Sequence, residues 1–267
     1  MKINDSNILC QMSGGIDCLA ALLLSIEEYG DDVGYHFFHI QLRLFSLEEE
    51  KQNNFWLVQL VSTIKQYKIL KRLYPEINLK FSSPIIHVPA FIPNYDIIYQ
   101  SYLTGIYTKA DKYIHILRGT TKDDIDKGQG FPWEEFSNLK YIHIEDDSKY
   151  LFAKRQHLLF DDLYHKHTVF HCPAILKTKN ELYDIIPEEL KNYIWYCESP
   201  KRNGNIISSC NECSKCLEAK SIGINNHGID VSEFLDIEKS HQQYLNQMHQ
   251  HVGNQRFENY VLVDKGN

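Results

Sequence analysis

Two runs of hydrophobic residues near the N-terminus are separated by a short polar turn. Residues 8–12 are almost continuously apolar, which is typical of a strand buried on both faces. From residue 19 to residue 26 the apolar residues continue in a segment with helical character. The six residues between the runs read Ser-Gly-Gly-Ile-Asp-Cys. We therefore predict a strand, a tight turn and a helix packed against the strand.

Similar apolar segments recur along the chain, and their periods alternate. They predict strands at 33–42, 84–88, 114–117 and 168–171, and helices at 47–67, 95–113 and 150–164. Apolar residues share one side of the helix at 47–67, namely Phe55, Leu57, Leu60, Val61 and Ile64. Strands that alternate with helices predict an α/β fold with a doubly wound, mostly parallel sheet. Ligands of such sheets bind beyond the carboxyl ends of the strands, where the turn at 13–18 lies.

The turn at 13–18 has the features of an anion site. Gly14 and Gly15 allow the backbone to bend tightly and to approach a ligand closely. The N–H groups that open the following helix have no intrahelical partner, and the helix dipole is positive there. Phosphate is the anion we expect. An ordinary strand-to-helix turn capped by Ser13 is the alternative, since the pattern matches neither the Gly-Lys-Ser/Thr phosphate loop nor the dinucleotide fingerprint.

Two later segments could contribute to the same edge of the sheet. A polar loop follows the strand at 114–117, with Gly119, Asp123 and Asp124 near its start, and it is either functional or a solvated surface loop. Further on, Thr178 is placed to cap a helix, and Glu181 would close the capping box. Lys179 would then lie at that helix start, as a solvated charge or facing the turn at 13–18.

Four cysteines late in the chain have the spacing of a metal site. Cys197, Cys210, Cys213 and Cys216 follow the pattern C-x12-C-x2-C-x2-C. Four thiolates can hold one tetrahedral zinc ion, and such a site is structural because it leaves no open coordination position. An iron–sulfur cluster is the main alternative, although the Cys-Pro that ends a ferredoxin run is absent. Disulfides or free thiols are the remaining readings.

Composition and charge limit the classes of protein to consider. Of 267 residues, 43% are hydrophobic, so the chain can bury a core, and the net charge of −7 disfavours a protein whose main role is to bind nucleic acid. No apolar run approaches a membrane span, and the N-terminus does not resemble a signal peptide, so we expect a cytoplasmic protein without a membrane partner. We divide the chain into a nucleotide-binding domain at 1–193, a zinc-binding segment at 194–222 and a helical extension at 223–267.

The turn at 13–18 resembles the Ser-Gly-Gly-x-Asp-Ser loop of the PP-loop ATP pyrophosphatase superfamily. Together with the cysteine cluster, it makes residues 7–222 similar to the 7-cyano-7-deazaguanine synthase family. Further segments match that family in the same order: Gly119–Asp124, the aromatic–Pro segment at 131–133, residues 173–179 with Lys179, and Trp195-Tyr196-Cys197 before the cysteine run. The resemblance implies a sheet of the adenine nucleotide α-hydrolase (HUP-like) type, with the cysteine site as a structural zinc site.

The resemblance also implies an activity. Family members use ATP to adenylate 7-carboxy-7-deazaguanine, add ammonia, and convert the amide to a nitrile after a second adenylation. The residues implied to bind ATP are Ser13, Gly14, Gly15, Ile16, Asp17, Cys18 and Gly119. Lys179 would hold the departing pyrophosphate, Asp17 would lie near magnesium, and Asp123 or Asp124 would bind magnesium or the substrate's exocyclic nitrogens. The resemblance suggests a homodimer as well, and from the net charge we expect no direct contact with nucleic acid.

Departures from the family pattern leave other functions open. Cys18 replaces the last Ser of the loop, and residues 131–135 depart from the family's Tyr-Pro-Asp-Cys-Arg. These differences suggest a specialised relative, such as an antiphage enzyme that attaches a deazaguanine acid to a protein amine. A tRNA sulfur-transfer enzyme that uses a cysteine persulfide and a non-enzymatic zinc-bearing adaptor are the remaining alternatives.

Overall fold

The computed structural model describes most of the N-terminal half of the chain and most of the segment around the cysteines. The described residues are 7–45, 49–89, 106, 115–123, 141–143, 169–225, 228–236 and 239. Asp124, the aromatic–Pro segment at 131–133 and the predicted helix at 150–164 lie outside them. So do the predicted helix at 95–113, apart from Ile106, and most of the C-terminal extension.

A six-stranded sheet forms the centre of the fold. Its strands are β1 (Asn7–Gln11), β2 (Gly34–Phe38), β4 (Leu79–Ser82), β6 (His115–Leu117), β7 (Tyr141–His143) and β8 (Val169–His171). Their order is β4-β2-β1-β6-β8-β7, and every pairing is parallel except that of β7 with β8. The chain therefore builds the sheet outward from β1 in one direction and then from β6 in the other. This confirms the doubly wound α/β fold, and its topological switch point lies between β1 and β6.

The predicted strand at 33–42 is wrong as a single element, because the structure divides it. β2 ends at Phe38, and β3 (Gln41–Phe45) begins after a break; β3 pairs with β5 (Ile85–Pro89) in a separate two-stranded sheet. The N–H of His39 bonds to Ser82 and that of Gln41 bonds to Pro84 across the break, at 3.0 and 2.9 Å. Proline cannot donate to a ladder, so the pairing is interrupted beside Pro84. The predicted strand at 84–88 corresponds to β5, whereas β4 was not predicted.

Two long helices pack against the sheet. α1 (Ile16–Tyr29) follows β1 directly, and α2 (Glu49–Leu73) connects β3 to β4 and continues past the predicted end at residue 67. Leu19, Leu22 and Ile26 of α1 lie in one buried cluster with Ile8 and Phe37 of the sheet. Burial of these side chains supplies the main hydrophobic stabilisation of the core around the six-stranded sheet. Cys10 and Cys172 are buried as well.

The cysteine-rich segment forms a small unit that packs on α2. Its elements, with the two short helices that precede it, are α3 (Lys179–Ile185), α4 (Glu188–Lys191), β9 (Lys201–Asn203), β10 (Ile206–Ser208), α5 (Ser214–Ser221) and β11 (Gly228–Asp230). The three strands form an antiparallel sheet in the order β11-β10-β9, which the sequence did not predict. Ile207, Ile229 and Val231 lie in one buried cluster with Leu57 and Val61 of α2. None of the described helices is long and apolar enough to cross a membrane.

Candidate active site and metal centre

The turn after β1 exposes the start of α1. Gly14 has φ +78°, a conformation that favours glycine, and a Cβ there would lie 3.1 Å from the Cβ of Ser62. Gly15 caps α1, and among the described residues no side chain makes the capping hydrogen bond. The Ser13 hydroxyl oxygen instead accepts from the Gly15 N–H at 3.3 Å. The N–H groups of the first turn are therefore directed toward the carboxyl edge of the sheet without a side-chain cap.

The carbonyl of Gly14 is fixed from outside the turn. It accepts hydrogen bonds from the backbone N–H of Trp195 and from Nε2 of Gln66, both at 2.9 Å. Nε2 of Gln66 also donates to the carbonyl of Tyr193 at 2.8 Å. Gln66 is fully buried on α2. Residues far apart in the chain thus set the geometry of the turn, and no sequence pattern indicates this role for Gln66.

The loop after β6 packs directly on the first turn of α1. A Cβ at Gly119 would lie 2.5 Å from the backbone nitrogen of Cys18 and 2.7 Å from the carbonyl carbon of Asp17. Only a residue without a side chain fits against this backbone. The structure therefore brings the predicted residue Gly119 to the turn at 13–18, at the switch point between β1 and β6.

Lys179, from a segment much later in the chain, also lies beside the turn at 13–18. The capping box is confirmed: the Thr178 hydroxyl accepts from the Glu181 N–H, and the Glu181 side chain accepts from the Thr178 N–H. The backbone N–H of Lys179, the first residue of α3, donates to Oδ2 of Asp123 at 2.6 Å. Its ammonium group lies 3.4 Å from Oδ2 of Asp17, and only 7% of the side chain is exposed. Asp123 thus contacts the backbone of the lysine, whereas Asp17 contacts its charge.

Part of the turn at 13–18 and Lys179 line one cleft between the turn and the cysteine-rich unit. The cleft has a volume of about 190 Å³, and Ser13, Gly15, Ile16, Asp17 and Lys179 are among its walls. The lining also includes two aromatic residues and three charged ones: Trp195, Tyr196, Glu198, Lys215 and Glu218. The Trp195 and Tyr196 rings are stacked, with centroids 6.3 Å apart. Sequence reasoning missed Lys215 and Glu218, which have no local signature beside the cysteine motif.

Cys18, which stands where the family loop has serine, is not an activated thiol. Burial raises its pKa, and the negative charge of Asp17 acts in the same direction. The Ser13 hydroxyl, 3.7 Å away, donates to the sulfur and opposes that shift. The thiol is therefore protonated at neutral pH, and its contact with Ser13 helps to hold the turn.

The four predicted cysteine ligands converge on one point. Their Sγ atoms all lie within 4.8 Å of one another, with 3.7 Å between Cys210 and Cys216 and 3.4 Å between Cys213 and Cys216. A metal–sulfur distance of about 2.3 Å in a tetrahedron places the sulfurs about 3.8 Å apart. The geometry therefore fits a single tetrahedral ion. An iron–sulfur cubane needs wider spacing, because each thiolate binds a different iron atom.

Backbone N–H groups surround these sulfurs and favour their charged form. The N–H of Cys210 donates to Cys197 Sγ at 3.2 Å, and the N–H of Cys213 donates to Cys210 Sγ at 3.3 Å. The second bond closes a tight turn in which Asn211 has φ +66°. Burial raises the pKa of Cys210, but hydrogen bonds from the N–H groups of Glu212 and Cys213 and from the thiols of Cys197 and Cys213 together lower it to about 6. Burial raises the pKa of Cys216 to about 11, so metal binding must displace its proton.

Comparisons with known proteins add little beyond this geometry. No protein-family model and no curated protein matches the chain. One solved structure to which it is similar is the U34-tRNA thiolase NcsA from Methanococcus maripaludis with its [4Fe-4S] cluster. The two share 13% sequence identity over 72% of this chain and 71% of that chain, with a TM-score of 0.32. At this level the similarity carries no conclusion about the substrate or metal of the present chain.

Proposed function

We propose that this chain uses ATP to activate a carboxylate, with release of pyrophosphate and later of AMP. The observation that carries the proposal is the position of Lys179, whose ammonium group lies 3.4 Å from Asp17 in the first turn of α1. This places a buried positive charge beside the helix start that the sequence predicts to bind phosphate. A cation and uncapped amides at one point are the combination that neutralises phosphate charge.

In this proposal the described residues bind and orient the nucleotide. The N–H groups of Ile16, Asp17 and Cys18, with the ammonium of Lys179, hold the two outer phosphates, which leave together as pyrophosphate. Gly119 leaves room for the turn to keep its shape. Magnesium would supply further positive charge when bound, and Asp17, whose carboxylate lines the cleft, is the residue placed to ligate it. Catalysis is then positioning and charge neutralisation.

The substrate we propose is 7-carboxy-7-deazaguanine, and this rests on the family resemblance. A carboxylate oxygen attacks the α-phosphorus of ATP, the bond to the β-phosphate oxygen breaks, and pyrophosphate leaves. Ammonia then attacks the acyl carbon and AMP leaves, which gives the amide after loss of a proton. The amide oxygen then attacks the α-phosphorus of a second ATP and pyrophosphate leaves. Cleavage of the carbon–oxygen bond releases AMP, and loss of both protons from the nitrogen gives the nitrile.

The metal we propose is one structural zinc ion held by Cys197, Cys210, Cys213 and Cys216. The support is the convergence of all four sulfurs within 4.8 Å. With four thiolates the ion has no open position, so its part is to order the cysteine-rich unit that forms one wall of the cleft. A sulfur-transfer reaction through Cys18 is disfavoured, because a nucleophilic thiol needs a lowered pKa and burial raises this one.

The test is turnover of the purified protein with ATP, magnesium, 7-carboxy-7-deazaguanine and ammonium. We expect AMP and pyrophosphate by chromatography, and the nitrile by mass spectrometry. Replacement of Lys179 by Met should lower AMP formation by about 100-fold or more, as loss of a preorganised charge contact does. The same change at Lys177, which lies two residues before the start of α3, should have little effect.

The products also decide between acceptors. If AMP forms and the deazaguanine acid is found on a protein amine instead of as a nitrile, activation stands and the acceptor is a protein. Formation of ADP, or no consumption of ATP, would contradict the proposed reaction.

A further inference from the structure

One carboxylate at the cleft has no role in the reaction described above. Oε1 of Glu218 lies 3.3 Å from the ammonium of Lys179, which also contacts Asp17. The side chain of Glu218 is 20% exposed, and that of Lys179 is 7% exposed. A negative charge near a phosphate site repels the ligand, so its presence there requires an explanation.

Glu218 belongs to the metal-binding unit and not to the nucleotide domain. It lies on α5, the helix that Cys213 caps and that contains Cys216. Both cysteines are ligands in the proposed metal centre, so the metal ion holds the first turn of α5. Because Glu218 lies only two residues after Cys216, the metal centre determines where its carboxylate can lie.

The carboxylate of Glu218 is itself held in place. Its second oxygen, Oε2, lies 3.6 Å from the ammonium of Lys215 one turn earlier on α5. One oxygen thus faces a lysine of its own helix, and the other faces Lys179. This arrangement spares the carboxylate the full penalty of being partly buried and directs Oε1 toward the cleft.

Lys179 needs such a restraint if it is to bind phosphate at a fixed point. A lysine side chain has four rotatable carbon–carbon bonds and carries a compact charge, so a single ion pair leaves it several orientations. Contacts with both Asp17 and Glu218, at 3.4 and 3.3 Å, restrict the ammonium to a position within reach of both carboxylates. That position lies at the start of α1.

We propose that Glu218 is a positioning residue, which transmits the order of the metal centre to Lys179 and holds its ammonium against the turn at 13–18. The phosphate part of this inference rests on the proposed function, whereas the restraint on Lys179 does not. The metal centre then contributes to nucleotide binding through α5, although it lies outside the reaction itself.

The test uses metal-loaded protein and three substitutions. Glu218→Ala removes the restraint, Glu218→Asp shortens it, and Glu212→Ala is the control. Glu212 belongs to the same metal-binding unit and is 80% exposed, and it pairs with Lys201 at 3.2 Å instead of with Lys179. Metal content is measured for each protein, so that a loss of metal is recognised.

Two readouts are independent of turnover. The first is acetylation of Lys179 by acetic anhydride, followed by mass spectrometry, and the second is calorimetric titration with magnesium pyrophosphate. In Glu218→Ala we expect faster acetylation of Lys179 and pyrophosphate binding weakened about tenfold, because a charge contact is no longer held in register. Glu218→Asp should lie between this variant and the wild type, and Glu212→Ala should match the wild type.

Each other outcome is decisive. Unchanged acetylation of Lys179 in Glu218→Ala overturns the inference, and so does loss of metal from that variant, which would make Glu218 part of the metal fold. Tighter pyrophosphate binding overturns it as well, because Glu218 would then compete with phosphate for the lysine. Expected results in both readouts without AMP formation by the wild type would refute the proposed reaction alone. AMP formation with unchanged acetylation would refute the inference alone.

Discussion

Gln66 and Gly14 are joined by a hydrogen bond of 2.9 Å between a buried side-chain amide and the carbonyl of the turn. The same amide nitrogen donates to the carbonyl of Tyr193 at 2.8 Å. A residue of α2 therefore links the turn after β1 to the segment that leads into the cysteine-rich unit. Buried carbonyls that lose their donors are costly, so this link makes the shape of the turn depend on α2.

Replacing Gln66 by Leu should destabilise the protein and loosen the turn. Leucine keeps a similar volume but leaves the Tyr193 carbonyl without this donor and removes one of two donors from Gly14. We expect the free energy of unfolding to fall by about 2–4 kcal/mol, with weaker binding of ATP. Denaturant unfolding and calorimetry measure the two effects. Lys68→Ala, at an exposed position of the same helix, should change neither, and equal behaviour of the two variants would contradict the linking role.

Replacing Gly119 by Ala should damage the site more than an equal change at Gly204. A Cβ at Gly119 would lie 2.5 Å from the backbone nitrogen of Cys18, so the start of α1 would have to move. Gly204 has φ +59°, but no described atom lies within 4 Å of a Cβ there, so its cost is backbone strain alone, about 1 kcal/mol. Melting temperature and ATP affinity should both fall further for Gly119→Ala. An ATP affinity equal to that of Gly204→Ala would show that the contact with α1 is unimportant.

Stability should fall with acidity because of His39. Burial lowers its pKa to about 4, against the opposing effect of its hydrogen bond to the Met12 carbonyl at 2.8 Å. The imidazole of His39 takes up a proton near pH 6.5 in the unfolded chain but only near pH 4 in the folded protein. The free energy of unfolding therefore falls as pH decreases through that window, by about 2 kcal/mol between pH 7.5 and pH 5.

His39→Asn tests this assignment, because asparagine keeps a donor near the position of Nδ1 but does not titrate. Denaturant unfolding at the two pH values should show a smaller pH dependence for the variant than for the wild type. The comparison removes contributions that both proteins share, such as protonation of the cysteines. Equal pH dependence would assign the effect to other groups.

The cysteine centre should bind one metal ion per chain, and its loss should disturb the cysteine-rich unit. Metal analysis of the purified protein is expected to give one zinc per chain, without the absorption of an iron–sulfur cluster. Cys213→Ser should lower both the metal content and the melting temperature, since structural zinc contributes directly to folding. Tryptophan fluorescence should change as well, because Trp195 lies in the same buried cluster as Cys197. Stoichiometric iron with acid-labile sulfide would contradict the single-ion site.

The sequence predicted those features that depend on local pattern. Each of three such features has its signature in one short continuous segment. They are the strand–turn–helix at residues 8–26, the capping box at Thr178 and the four converging cysteines. Strand β4 was missed because Leu79–Ser82 has only four residues, and its apolar–polar alternation is too short to distinguish it from its surroundings. The break after Phe38 could not be foreseen, because it depends on Pro84, which lies between the partner strands β4 and β5.

The parts of the site that the sequence could not predict depend on contacts between residues far apart in the chain. Gln66 and Glu218 stand in ordinary helical segments, and their roles appear only when α2 and α5 are placed beside the turn and Lys179. The sequence alone allowed Lys179 either to be solvated or to face the turn that contains Asp17, and a lysine at a helix start is usually solvated. The doubly wound topology brings the start of α3 to the switch point, and Lys179 therefore lies beside Asp17.

The most direct test of the account is a crystal structure of the protein with magnesium and an ATP analogue that cannot be cleaved between the α- and β-phosphates. The account predicts that the two outer phosphates accept hydrogen bonds from the N–H groups of residues 16–18 and contact the ammonium of Lys179. Phosphates bound elsewhere, with side chains filling the space above this turn, would contradict it.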